Sequence, residues 1–166
     1  MSELDDAIDR QRRSQRAEEE HREEEQSPVR LSAELRTAIA DFLARNVPPS
    51  GEFPLGRTTG RSRFFETEGV REPAWVLLYR SHDGAPGEPN LLLDAAGGLH
   101  VGAGFDEPFL PLRRCDRQVR GYPSTGDLSA APDITLVPGT PGFDDAVIEI
   151  LAGLVRAAGA TSGPEV

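Results

Sequence analysis

A chain of 166 residues is long enough for one ordinary domain with a tail and too short for two full enzyme domains. It carries 28 acidic against 18 basic side chains, a formal net charge of −10 and a pI near 4.8, which argues against a general nucleic-acid or anionic-membrane binder through long-range repulsion. All 18 basic residues are arginine, and the missing lysine amine excludes Schiff-base, pyridoxal-phosphate and P-loop lysine chemistry.

The arginine-only usage, together with abundant Ala, Gly and Pro, reads as GC-rich bacterial coding. Cys115 is the single cysteine, so an intramolecular disulfide cannot form. Residues 1–26 lack the apolar stretch of a secretory signal, and no segment approaches the roughly 20 apolar residues of a membrane span. A cytoplasmic location without membrane association is the expectation.

Residues 1–27 form a charged extension. Up to residue 26 it holds ten acids against five arginines, net −5, with Leu4, Ala7, Ile8 and Ala17 as its apolar residues. The pairs Asp6/Arg10, Asp9/Arg13 and Glu18/Arg22 have the i,i+4 spacing that supports a helix. With no apolar stripe to bury, the segment is expected to be disordered or a solvated helix. Apolar heptad positions stop after Ile8, too early for a sustained coiled coil.

After Ser27-Pro28, residues Leu31, Leu35, Ala38, Ile39, Phe42 and Leu43 recur at helical spacing. Ser32 is a suitable N-cap and Asn46-Val47-Pro48-Pro49 a suitable stop, which predicts a helix over about 32–46. Pro and Gly punctuate the chain from there through residue 60. Four β-like runs follow, at 61–67, 74–80, 90–94 and 99–102, with Asp94-Ala95-Ala96-Gly97-Gly98 as a hairpin turn, and together they suggest an antiparallel meander. Weaker strand signals lie at 109–112, 118–122 and 134–137. Thr140 as N-cap, Pro141 at the first helical position and Gly159 as a stop mark a final helix over about 142–158.

The expected fold is therefore α+β: an antiparallel meander sheet packed by an early and a C-terminal helix, in one domain over 28–160, with a disordered tail at 161–166. Trp75-Val76-Leu77-Leu78-Tyr79 and Leu91-Leu92-Leu93 are apolar at consecutive positions, so both faces of the sheet need cover. Trp75, Leu77 and Tyr79 point to one face and Val76 and Leu78 to the other; if both helices share one face, the other is an exposed apolar patch, and a homodimer is expected. If they lie on opposite faces, a three-layer monomer results.

Motifs with chemistry are sparse. Gly51-Glu52-Phe53-Pro54-Leu55-Gly56-Arg57-Thr58 has P-loop spacing, but Arg57 replaces the lysine and Pro54 removes an N–H, so a surface loop is the simpler reading. Asp94, His100 and Cys115 are the candidates for a nucleophile–base set, although His100 in Leu99-His100-Val101 alternates toward a solvent-facing side. His82, Asp83 and His100 lack metal-ligand spacing, and Asp144, Asp145 and Glu149 are explained by the helix dipole. No catalytic set, cofactor or metal is assigned. Two arginine clusters, Arg57/Arg61/Arg63 beside Phe64-Phe65 and Arg113/Arg114/Arg117/Arg120, are of the composition found at protein interfaces.

The leading expectation is a non-enzymatic interaction or adaptor protein. It would bind another protein through an exposed sheet face or through Arg57, Arg61, Arg63, Phe65, Arg113 and Arg117. A small hydrolase or metal-dependent enzyme using His100, Asp94 and Cys115 is the alternative of a different class. An acidic inhibitor or immunity-type protein, whose carboxylate-rich ends occupy a basic site, is the third.

Overall fold

A computed structural model describes residues 3–26, 29–56, 69–82, 85–102, 108–112, 118–125 and 133–161. Helix α1 (Glu3–Gln26) is followed by α2 (Ala33–Ala44), strands β1 (Gly51–Leu55), β2 (Val70–His82), β3 (Ala85–Asp94), β4 (Leu99–Val101), β5 (Leu110–Pro111), β6 (Val119–Pro123) and β7 (Ile134–Leu136), and helix α3 (Pro141–Thr161). The fold is α+β with an antiparallel sheet, as the periodicities predict. No described helix is long and apolar enough to cross a membrane.

The charged extension is helical. Its 24 residues extend about 36 Å at 1.5 Å per residue, and every side chain from residue 3 to 22 is exposed. The Arg10 guanidinium donates 3.2 Å to the backbone carbonyl of Asp6, so part of the i,i+4 support runs through the main chain. Because almost no apolar area of α1 is buried, deleting residues 1–26 should shift the melting temperature by no more than about 3 °C. Differential scanning calorimetry checks this, and a larger loss would show that Leu4 and Ile8 dock.

Ser32 caps α2, its Oγ accepting 3.1 Å from the Leu35 N–H, and Leu35, Ile39 and Phe42 form the buried stripe. Asn46 ends the helix with φ of 53°, a left-handed conformation that asparagine tolerates better than most residues. The final helix starts where Thr140 Oγ1 accepts from the Phe143 N–H at 3.4 Å and itself donates 2.7 Å to the Val137 carbonyl.

β2 is the hub of the sheet. It pairs along one edge with β3, and along the other with β1 near its start and β6 near its end. β3 continues to β4 and β5, and β6 to β7. The sheet curls until its ends meet: Leu55 bridges Phe109, the Gly56 N–H donates to the Phe109 carbonyl and the Phe109 N–H to the Pro54 carbonyl, both at 2.8 Å. Strands β1 to β5 thus close a small barrel-like turn of sheet.

Two expectations change as a result. Gly51–Leu55 is not a surface loop but strand β1, in register with β2 from Gly51↔Ala74 to Leu55↔Val70; Pro54 is accommodated because β1 has one long-strand neighbour, an edge position that needs fewer donors. Both helices do share one face, since α2 packs on α3 and both enter one core with Trp75, Leu77, Leu91, Leu93 and Leu99. Yet the opposite face is not exposed. Ala74, Val76 and Leu92 on it are 0%, 1% and 0% exposed, covered within the curl by Leu55, Phe53 and Phe109. The apolar patch from which a dimer and a sheet-face interaction were argued is therefore inside the molecule.

Leu78 also leaves the face assigned to it. Val76 pairs with Leu92 and Leu78 with Leu91, so Leu77 and Leu78 together oppose one residue in a β-bulge. Both consequently point into the helix-covered core. Trp75 anchors that core, with its Nε1 donating 3.1 Å to the Val47 carbonyl and its ring edge-on to Phe42 at 5.4 Å. The run at 61–67 and the tail from residue 162 lie outside the described residues.

Candidate functional site

Arg57, Arg61, Arg63, Phe65, Arg113 and Arg117 lie outside the described residues, as do Cys115, Asp83 and the side chain of His82. Arg120, of the second cluster, is exposed on β6. Of the residues considered for catalysis, Asp94 and His100 are brought together.

Asp94 ends β3 and opens the tight turn to β4. Its backbone N–H donates 2.9 Å to the Gly98 carbonyl, and Gly97 adopts φ of 91°, which a side-chain-bearing residue would strain to reach. The Asp94 carboxylate completes this turn from within: Oδ1 accepts from the backbone N–H groups of Ala96 and Gly98, each at 2.8 Å. Such side-chain mimicry of a turn is what aspartate supplies at this position. Oδ2 lies 2.7 Å from His100 Nε2.

His100 pairs across the ladder with Leu92 and so shares the face enclosed by the curl, not one turned to solvent. It is 5% exposed. The side chains of β4 do alternate between faces, but its second face is an interior once β5 and β1 close over it. An ionised carboxylate can only accept, so Nε2 carries the shared proton. That leaves Nδ1 buried without a hydrogen-bond partner.

Partial burial pushes the Asp94 carboxyl up, but the hydrogen bond from His100, the Gly98 N–H, the His100 charge and the Ala96 N–H outweigh it. Together they hold it below the ordinary value of 3.8. The pair is thus built to keep the carboxylate ionised. For general-base chemistry, one imidazole nitrogen must be held by the acid and the other must reach substrate. Here Asp94 takes Nε2 and Nδ1 is enclosed, so the geometry serves to lock the β3–β4 turn onto the sheet.

Beside the pair is a cleft of about 680 Å3, lined among others by Leu31, Leu55, Leu112, Glu72, Asp94 and His100. It opens at the end of the curled sheet, where the segment leading into α2 passes β5; the Val29 N–H reaches the Leu112 carbonyl at 3.4 Å and the Leu112 N–H the Leu99 carbonyl at 2.9 Å. Sequence reasoning named Asp94 and His100 but missed Leu31, Leu55, Glu72 and Leu112. These four come from separate segments, and no spacing along the chain announces their convergence.

The described residues hold no group of three or more His, Cys, Asp or Glu placed to bind a metal. The phosphate-loop spacing at Gly51 is absorbed by β1, all five residues of which belong to a ladder with β2. Asp144 sits in the first turn of α3 with Oδ1 buried and unpartnered, while Asp145 and Glu149 are exposed. No family model, curated protein or solved structure matches this chain.

Proposed function

We propose that this chain is a non-enzymatic interaction protein that presents α1 to a protein partner with a basic surface. The observation that carries the reading is a helix of 24 residues whose described side chains are exposed throughout, Leu4 at 69% and Ile8 at 39% among them. A helix that buries nothing adds no packing stability to its own domain. Its acids are concentrated at Glu18, Glu19, Glu20, Glu23, Glu24 and Glu25, toward the C-terminal end, where the helix dipole disfavours negative charge. A cationic surface would relieve both that clash and the mutual repulsion of the carboxylates.

This reading joins the adaptor and acidic-inhibitor expectations and moves the binding element from the sheet face to the extension. Arg57, Arg61, Arg63, Phe65, Arg113 and Arg117 remain the second set of candidate contact residues of the same class. The test is affinity capture from the native host with the full chain, beside a variant carrying glutamine at the six named glutamates. Capture of a basic protein that falls at least tenfold in the variant, and similarly on raising salt from about 0.05 to 0.5 M, is expected. Capture equal in both chains and insensitive to salt would overturn the proposal.

A hydrolase using Asp94, His100 and Cys115 is the second reading; Asp94 and His100 are in contact, but the enclosed Nδ1 of His100 stands against it. It requires that Cys115→Ala abolish turnover of an ester or amide substrate. An interaction protein keeps its full partner capture in that variant.

A further inference from the structure

We propose that the cleft beside Asp94 and His100 is a binding site for a small uncharged aromatic molecule carrying one hydrogen-bond donor, of the phenol or indole class. It is independent of α1 and of the partner read from it.

The cleft opens at the end of the curled sheet, and its volume of about 680 Å3 is within the range of small-molecule pockets. Leu31, Leu55, Leu99 and Leu112, with the rings of Pro73 and Pro111, supply an apolar bed. A flat, rigid body suits such a bed, because it gives up little conformational freedom on binding. Charge selects against ions. Asp94 and His100 lie 2.7 Å apart and answer each other, and Glu72, the other acid of the lining, already has an interaction of its own. A cation would meet His100 beside the carboxylate and an anion the carboxylate itself, so neither recovers the hydration it gives up.

What the pair leaves over is an acceptor. An ionised carboxylate has about four lone-pair sites, and donors among the described residues take three of them: the Ala96 and Gly98 N–H groups on Oδ1, each at 2.8 Å, and His100 Nε2 on Oδ2 at 2.7 Å. The fourth is on Oδ2. The Asp94 side chain lines the cleft and is 16% exposed, so a donor seated there has this site to meet. The three bonds already made fix the direction of the carboxylate, and no reorganisation is needed to receive a fourth. One O–H or ring N–H satisfies the acceptor, whereas a ligand with acceptors alone sets lone pair against lone pair and leaves its own polar atom unpaired.

The test uses the full chain and four probes of similar body: phenol, benzonitrile, benzylammonium and benzoate. Amide NMR signals of Ala96 and Gly98 and the imidazole signals of His100 are followed during titration. Saturable shifts at these residues are expected with phenol, with a dissociation constant at least about fivefold below those of benzonitrile and benzoate and no higher than that of benzylammonium. Asp94→Asn, which sets an N–H in the place of Oδ2, should bring phenol to within about twofold of benzonitrile. A smaller preference for phenol in the unsubstituted chain, tighter binding of benzylammonium, or no saturable shift at the turn overturns the proposal without recourse to any variant. A folded Asp94→Asn chain that keeps its preference for phenol overturns it as well.

Discussion

Asp94→Ala should lower the melting temperature by about 6–12 °C. The substitution strips acceptors from three donors at once: the Ala96 and Gly98 N–H groups at 2.8 Å and His100 Nε2 at 2.7 Å. A donor left without its partner in a partly buried place costs its desolvation, and bonds to a charged acceptor are the stronger kind, so the joint loss is about 3 kcal/mol. At about 2–4 °C per kcal/mol for a chain of this size, the shift follows. His100→Leu should be far milder, about 1 kcal/mol or less, because it removes the buried unpartnered Nδ1 and leaves an Asp94 oxygen that water can still reach. The asymmetry is diagnostic: if the histidine variant were the worse of the two, the pair would not be centred on the turn.

The same carboxylate predicts a pH dependence whose sign is fixed. Its folded pKa lies below the ordinary 3.8, so the unfolded chain binds the proton more readily. Asp94 therefore adds stability that is fully present above about pH 4 and is lost as pH falls through its folded value. In Asp94→Asn that part of the acid limb should vanish from a series of urea unfolding curves, while the loss from the other acids remains.

Gly121→Ala is expected to cost about 3 kcal/mol by disrupting the junction between β2 and β6. A Cβ at Gly121 would overlap the carbonyl oxygen of Tyr79 and crowd its carbonyl carbon at 3.0 Å, so main chain, not a yielding side chain, stands in the way. The junction is short, consisting of Leu78↔Pro123 and Tyr79↔Tyr122, the Ser124 N–H donating 3.0 Å to the Leu77 carbonyl and the stacked rings of Tyr79 and Tyr122 at 5.8 Å. Moving β6 outward carries β7 with it, because Gly121 also pairs with Ile134. Overpacking of this kind is usually worth 1–3 kcal/mol, and a clash with backbone belongs at the upper end. Thermal unfolding of the variant measures the loss, and the Tyr79–Tyr122 stacking should weaken in its near-ultraviolet circular dichroism. A cost below about 1 kcal/mol would mean that β6 is not held against β2 at this point.

What could be read along the chain were features decided within a few residues. The α2 and α3 periodicities, the Ser32 and Thr140 caps, the hairpin at Asp94 and the runs at β2, β3, β4 and β6 depend on local spacing and turn chemistry, which survive without tertiary context. The solvated character of α1 was equally legible, since Leu4, Ala7, Ile8 and Ala17 cannot make a stripe. Three matters were decided only by the tertiary structure. Gly51–Leu55 is a strand because β2 offers it an edge, against the propensity of Gly and Pro. The bulge at Leu77 and Leu78 turns two consecutive leucines to one side, which strict alternation cannot foresee. And the pairing of Leu55 with Phe109, residues far apart in sequence, converts an apparently open face into an interior. That closure removes the apolar patch, buries His100 beside Asp94 and shapes the cleft, because burial is a property of what the distant chain covers and not of the residues being covered.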